Sequence, residues 1–207
     1  MDSKESALFE YRDRIANYFK GSINGSTILD IGCGDGYLWT HNLFGLQSKK
    51  VVGVDIDFHK KWQKIRDKNM NFIVCDAMYL PFKKSSFDTV FEKDAIHHIK
   101  DKRIAITEML RVSTNTIILV EANRNNPLSY FHMVFLRKHD HLSQKKFFQY
   151  IYSVAPNTII KFSSLEAHYF GLNSSFLNRF LNITQNIFGK ILPKILLSYN
   201  IAIIKKK

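Results

Sequence analysis

The residues of this chain best suited to chemistry are a set of alternating glycines and two carboxylates that each close a short apolar run. In Thr27-Ile28-Leu29-Asp30-Ile31-Gly32-Cys33-Gly34-Asp35-Gly36 an apolar stretch breaks into glycine at every second position. Glycine removes the Cβ where a chain must turn sharply, makes φ > 0 available and lets a ligand rest on bare main chain. A helix starting near Tyr37 would aim its unpaired N–H groups at that ligand. Val51-Val52-Gly53-Val54-Asp55 puts a carboxylate at the end of a second run. There an ionised acid can accept both hydrogen bonds of a ribose diol, each contributing about 1.5–3 kcal/mol. Asn71-Phe72-Ile73-Val74-Cys75-Asp76-Ala77 ends a third run with Asp76, placed to accept from an exocyclic amine.

These groups need a scaffold that brings the ends of separate runs together. Thr27–Ile31, Val51–Val54, Phe72–Cys75, Phe87–Phe91 and Thr116–Val120 read as strands, with helical composition over Phe58–Asn69 and Asp101–Val112. An amphipathic entry helix spans Ser6–Lys20, with Gly21 as its stop. Continuous apolar strands alternating with helices predict an α/β, doubly wound chain whose mostly parallel sheet is covered on both faces. Such sheets bind ligands at the carboxyl ends of their strands, beside the point where strand order reverses. Beyond Val120 lie helix candidates at Leu128–Lys138, Gln144–Val154 and Ser175–Leu192, and strand candidates at Thr158–Phe162 and Tyr199–Ile204. These helical pieces are too long for plain connections and predict a lid over the strand ends.

The combination resembles the class I S-adenosylmethionine-dependent methyltransferases, in particular their branch of small-molecule enzymes. Leu29–Gly36 is similar to that family's first motif, whose third glycine comes one residue earlier than in the dinucleotide pattern G-x-G-x-x-G. Phe82–Phe91 running into Ala95-Ile96-His97-His98-Ile99 resembles the fourth-strand segment, and Glu108-Met109-Leu110-Arg111-Val112 the helix before strand five. The resemblance covers about Gly25 to Glu121. It implies a seven-stranded, mostly parallel Rossmann-like sheet in a single domain over 1–207. Within it, 1–21 form the entry helix, 25–121 the cofactor-binding core, 127–155 and 164–193 helical lid insertions, and 195–207 the final strand and a basic tail. It also implies that Asp30, Gly32, Cys33, Gly34 and Gly36 hold the methionine part of S-adenosylmethionine and Asp55 the ribose. Asp76 and the Ala77 backbone would take the adenine, Ile56 would pack on an adenine face, and Lys93 would lie near the sulfonium. The family's Leu-Lys-Pro-Gly-Gly turn is replaced by Val112-Ser113-Thr114-Asn115-Thr116, which alters the turn before strand five.

Methyl transfer from a sulfonium needs an in-line nucleophile in a dry cavity, and a base only when the nucleophile arrives protonated. His97 and His98, just past strand four, are the candidate bases, with packing or helix-start roles as the alternative. No Asp/Asn-Pro-Pro-Tyr/Phe pattern follows Phe91, and Asn125-Asn126-Pro127 reads as a loop and helix start. Across 207 residues Lys and Arg total 30 against 18 Asp and Glu, a net charge of +12, but the lysines are scattered as on a solvated surface. That charge admits RNA or protein as an alternative acceptor and peripheral contact with an anionic membrane, while no apolar run suits a spanning helix. The segment after Val120 is rich in aromatics, among them Tyr130, Phe131, Phe135, Phe147, Phe148, Phe176, Phe180 and Phe188. At helical spacing these read first as core, with a pocket for an apolar acceptor or a membrane surface as the other uses. Cys33 and Cys75 make no disulfide framework, and His132, His139, His141 and His168 match no metal spacing, so no metal is expected. A polar, mixed-charge start points to a cytoplasmic protein. The leading expectation is transfer of a methyl from S-adenosylmethionine, leaving S-adenosylhomocysteine, to a small molecule. A non-catalytic cofactor-binding module is a second alternative.

Overall fold

The structure, a computed structural model, describes residues 3–45, 50–130, 141–156, 158–169 and 174–206. Its strands are β1 (Thr27–Ile31), β2 (Lys50–Asp55), β3 (Met70–Val74), β4 (Phe87–Lys93), β5 (Ser113–Ala122), β6 (Ile159–Leu165) and β7 (Tyr199–Lys205). Its α-helices are α1 (Ser3–Ala16), α2 (Lys102–Val112), the short α3 (Pro127–Tyr130), α4 (Gln144–Val154) and α5 (Ser175–Ile191). The strands form one sheet in the order β3-β2-β1-β4-β5-β7-β6, with β7 antiparallel to both neighbours. Each sequence-predicted strand is present, and strand order reverses between β1 and β4.

Period-two alternation explains how one sheet supports two cores. On β5, Ile117 and Leu119 join the cluster containing Met109, Phe147 and Ile151, whereas Ile118 and Val120 join Ile15, Phe19 and Phe44 on the other face. Ile201 and Ile203 of β7 likewise oppose Ala202 and Ile204. Helix α2 starts where the Asp101 carboxylate accepts from the N–H groups of Arg103 and Ile104, at 2.9 and 3.2 Å. It buries Ala105, Ile106, Met109 and Val112 and runs directly into β5. The missing Pro-Gly-Gly turn is thus no gap: the Ser85 and Ser86 N–H groups donate to Arg111 and Val112 carbonyls and tie off the helix end.

Three expectations need correction. The segment Phe58–Asn69 forms only a 3₁₀ turn at Lys60–Lys64, because Trp62 is drawn inward. Its indole N–H donates to the Gly34 carbonyl at 2.8 Å and its ring stacks on Phe72 with centroids 5.1 Å apart. The predicted helix near Tyr37 exists as a π-helix, Tyr37–Phe44, in which the His41 N–H reaches back to the Gly36 carbonyl. In the C-terminal part, Phe147 of α4 is core beneath α2 as expected, but the aromatics of α5 are not. Phe176 is 79% exposed, and Phe180 and Phe188 are both 53% exposed. Most of the candidate helix Leu128–Lys138, with Phe131, His132 and Phe135, lies outside the described residues, as does His139 just beyond it.

Candidate functional site

A cavity of about 560 Å³ opens at the carboxyl ends of β1, β2, β3 and β4, beside the reversal of strand order. Gly32 lines its floor, Asp55 and Ile56 one wall, Asp76 and Ala77 the next, and Asp94, Ala95 and His98 the side nearest β4.

Gly32 has φ +66°, and a Cβ there would sit 2.2 Å from the Ala95 Cβ, so the turn after β1 closes against β4 only with glycine. Gly34, at φ +55°, has nothing within 4 Å of where its Cβ would be. Its N–H donates to Asp55 Oδ2 at 2.8 Å, which ties the glycine turn to β2. Asp55 Oδ1 accepts from the Asp57 N–H at 3.2 Å, and His59 Nε2 stands 3.7 Å from the same oxygen. Asp76 accepts from the Met78 N–H at 2.8 Å. Ile56 is 64% exposed while lining the cavity, an apolar side chain kept at the mouth of a polar site. The walls therefore offer two acceptors, an apolar shelf and open space over bare backbone. This set fits a nucleoside with a zwitterionic tail.

Other predicted residues stand behind the cavity. Asp30 is buried and accepts from Thr40 Oγ1 at 2.6 Å; burial raises its pKa to about 7. Its place is behind the glycine turn, holding β1 to the π-helix. Cys33, Gly34 and Gly36 also do not line the cavity. Cys33 packs by Gly53, and burial pushes its thiol up. Lys93 does not reach the cavity either. Its ammonium pairs with Asp94 and lies 3.3 Å from the Tyr199 hydroxyl, over the rings of Tyr11, Trp39 and Tyr199. Burial opposes that charge, but Asp94 and Tyr11 outweigh it and raise the Lys93 pKa.

The two histidines divide their positions. His98 is exposed and lines the cavity. The His97 side chain is 3% exposed, its Nδ1 lies 2.8 Å from Glu121 Oε2 and its backbone N–H donates to Glu121 Oε1 at 3.2 Å. The two imidazole centroids are 4.0 Å apart. Behind them Glu92 accepts from the Ala95 and Ile96 N–H groups at 2.6 and 3.0 Å. Burial raises both acids, Glu121 to about 8, and the neighbouring charge of Glu121 raises Glu92 further. Glu92 and Glu121 escaped the sequence reading, although single acids inside apolar runs are a signal of buried function. Asp94, at φ +54°, was also missed; its Oδ1 accepts from the Ala122 N–H at 3.0 Å. Nitrogens of His97 and His141 and a Glu121 oxygen lie within 4.8 Å of one another, a donor set that a divalent transition metal could take and that no sequence spacing announced.

Residues 29–119 match the family model of the methyltransferase domain. Over this span the chain is similar to the class I S-adenosylmethionine-dependent methyltransferases. Among relatives, this chain is 35% identical over 123 residues to norajmaline N-methyltransferase of Rauvolfia serpentina, covering 54% of this chain and 42% of that one. It spans less than half the length of the curated relatives it matches first. A solved methyltransferase of Thermotoga maritima superposes with TM-score 0.65 at 16% identity, over 99% of this chain and 92% of that one. The plantazolicin methyltransferase, solved with a substrate analogue and S-adenosylhomocysteine, gives 0.68 at 19% identity, over 97% and 85%. Among the described residues none beyond Lys100 lines that cavity, so α4 and α5 add no wall to it. No helix among the described residues is long and apolar enough to cross a membrane.

Proposed function

We propose that this methyltransferase moves the sulfonium methyl of S-adenosylmethionine onto an oxygen, nitrogen or carbon of a small molecule. The observation that carries the reading is the cavity at the strand reversal, where Asp55, Ile56 and Asp76 converge on the open backbone of the glycine turn. Asp55 would accept from the ribose diol, Asp76 and the Ala77 backbone would meet the adenine edge, and Ile56 would cover an adenine face. Gly32 and Gly34 would leave room for the methionine part. Asp30 acts one layer behind, by fixing the turn to the π-helix. S-adenosylmethionine supplies an activated methyl with a neutral leaving group, so the protein's task is to align an acceptor and keep water out.

His98 is the side chain placed to take a proton from an acceptor that arrives as a hydroxyl or ammonium. His97, held at both its ring and its backbone by Glu121, braces His98 from behind. Lys93 has no part near the methyl, since its charge is spent on Asp94. The absence of a base-methylase motif and the scatter of the lysines favour a small-molecule acceptor over RNA or protein. The test offers labelled S-adenosylmethionine to metabolite, RNA and protein fractions. Label entering organic-soluble metabolites is the expected result; label confined to RNA or protein, or to nothing, overturns the acceptor class.

A further inference from the structure

Helix α5 is amphipathic, yet it faces the wrong way for a helix that packs on a core. Its polar side is turned inward. Gln185 is buried, accepts from the His168 N–H at 2.8 Å and donates to the His168 carbonyl at 3.3 Å. Asn182 donates to Glu10, and Asn186 accepts from Arg14 of α1. The apolar side is turned outward: Phe176, Phe180, Ile183, Ile187 and Ile191 recur at three- and four-residue spacing and each is at least half exposed, Ile191 reaching 72%. Ile195, 51% exposed, continues the stripe beyond the helix. An apolar strip of this length in open water is costly, and isolated surface hydrophobes do not line up this way.

The charge around the strip selects its cover. Residues 167–207 contain no Asp or Glu and six basic side chains, Arg179, Lys190, Lys194 and Lys205 to Lys207. Arg179 and Lys190, about three helical turns apart, flank one edge of the strip, and both are exposed. A long basic side chain beside an apolar stripe can lay its stem along the apolar surface and hold its charge at the level of lipid phosphates. A second copy of a chain carrying +12 would bring like charges together instead.

We propose that α5 is an interfacial anchor that lies in the plane of an anionic phospholipid surface, its Phe and Ile side chains in the acyl boundary and Arg179, Lys190 and Lys194 on the phosphates. The anchor is separate from the cavity and from the identity of the acceptor, so its test does not use methyl transfer. The full chain is sedimented with vesicles of equimolar phosphatidylglycerol and phosphatidylcholine, and with vesicles of phosphatidylcholine alone. The expected result is binding to the first, weaker by about tenfold or more on the second and at high salt. The combined F180S, I187S and I191S substitutions, all at exposed positions, should lower binding by about a hundredfold with an unchanged circular dichroism spectrum. K190E with K194E should reduce binding to anionic vesicles only. No binding to anionic vesicles, binding indifferent to the serine substitutions, or a dimer in gel filtration that those substitutions dissolve would each overturn the proposal. The last of these would assign the strip to a second copy.

Discussion

The carboxyl ends of β1 to β5 and the exposed face of α5 treat polarity in opposite ways. At the strand ends acids are taken out of water: Asp30, Glu92 and Glu121 are all buried, and burial raises the pKa of each. On α5 large apolar side chains are left in water while amides face the protein. A hydrophobic core needs neither arrangement, so each points to function. The first organises a cavity from within and the second prepares a surface for something outside. A fold tolerates both because the two sheet faces carry enough apolar burial elsewhere, from Ile28 and Phe91 on one side to Met109 and Ile204 on the other.

The sharpest way to break this contrast is G32A. Its Cβ would meet Ala95, and φ +66° disfavours any side chain, so about 3 kcal/mol of stability should go and with it cofactor binding. Urea denaturation and calorimetry measure the two losses. A serine at Phe180 should change neither.

Next is D30N. The folded protein keeps a proton on Asp30 up to about pH 7, whereas the unfolded chain releases it near the ordinary carboxylate value of 3.8. Folding stability contributed by this group is therefore present at low pH and falls as pH rises through that window. D30N should abolish that fall while keeping the Thr40 hydrogen bond, as read from urea midpoints across the window. A slope equal to that of wild type would mean that Asp30 is already ionised in the fold.

A smaller effect is expected at Glu121, which positions His97 rather than touching an acceptor. E121Q should lower kcat by about tenfold, shift the pH–rate profile and leave the KM for S-adenosylmethionine almost unchanged. A change confined to stability would reduce Glu121 to scaffolding. Smallest of all, I56A should weaken cofactor binding about fivefold by removing an exposed apolar shelf, with no cost in stability.

The contrast also explains what could be read in the sequence. Strands β1, β4, β5 and β7 were legible as apolar runs buried on both faces, and the more exposed edge strands β3 and β6 by their β-branched and aromatic residues. The placement of Gly32, Asp55 and Asp76 on the strand-end cavity was legible because glycine turns and strand ends are local properties. Lys93 was misplaced because its partners, Tyr11, Asp94 and Tyr199, come from three parts of the chain. Phe58–Asn69 was misread because one tertiary contact, Trp62 on the glycine turn, overrode its helical composition. The period of α5 was plain, but period says only that one face is apolar and not which way that face turns. His141 joined His97 and Glu121 through folding alone.

The central claim, that the strand-end cavity holds S-adenosylmethionine through Asp55, is tested most directly by isothermal titration of S-adenosylmethionine into wild type and D55A, with circular dichroism confirming that both are folded. One-site binding to wild type, weakened about a hundredfold or more in D55A through loss of two charge-assisted hydrogen bonds, is the predicted result. No heat of binding with wild type, or equal affinity in D55A, would contradict it.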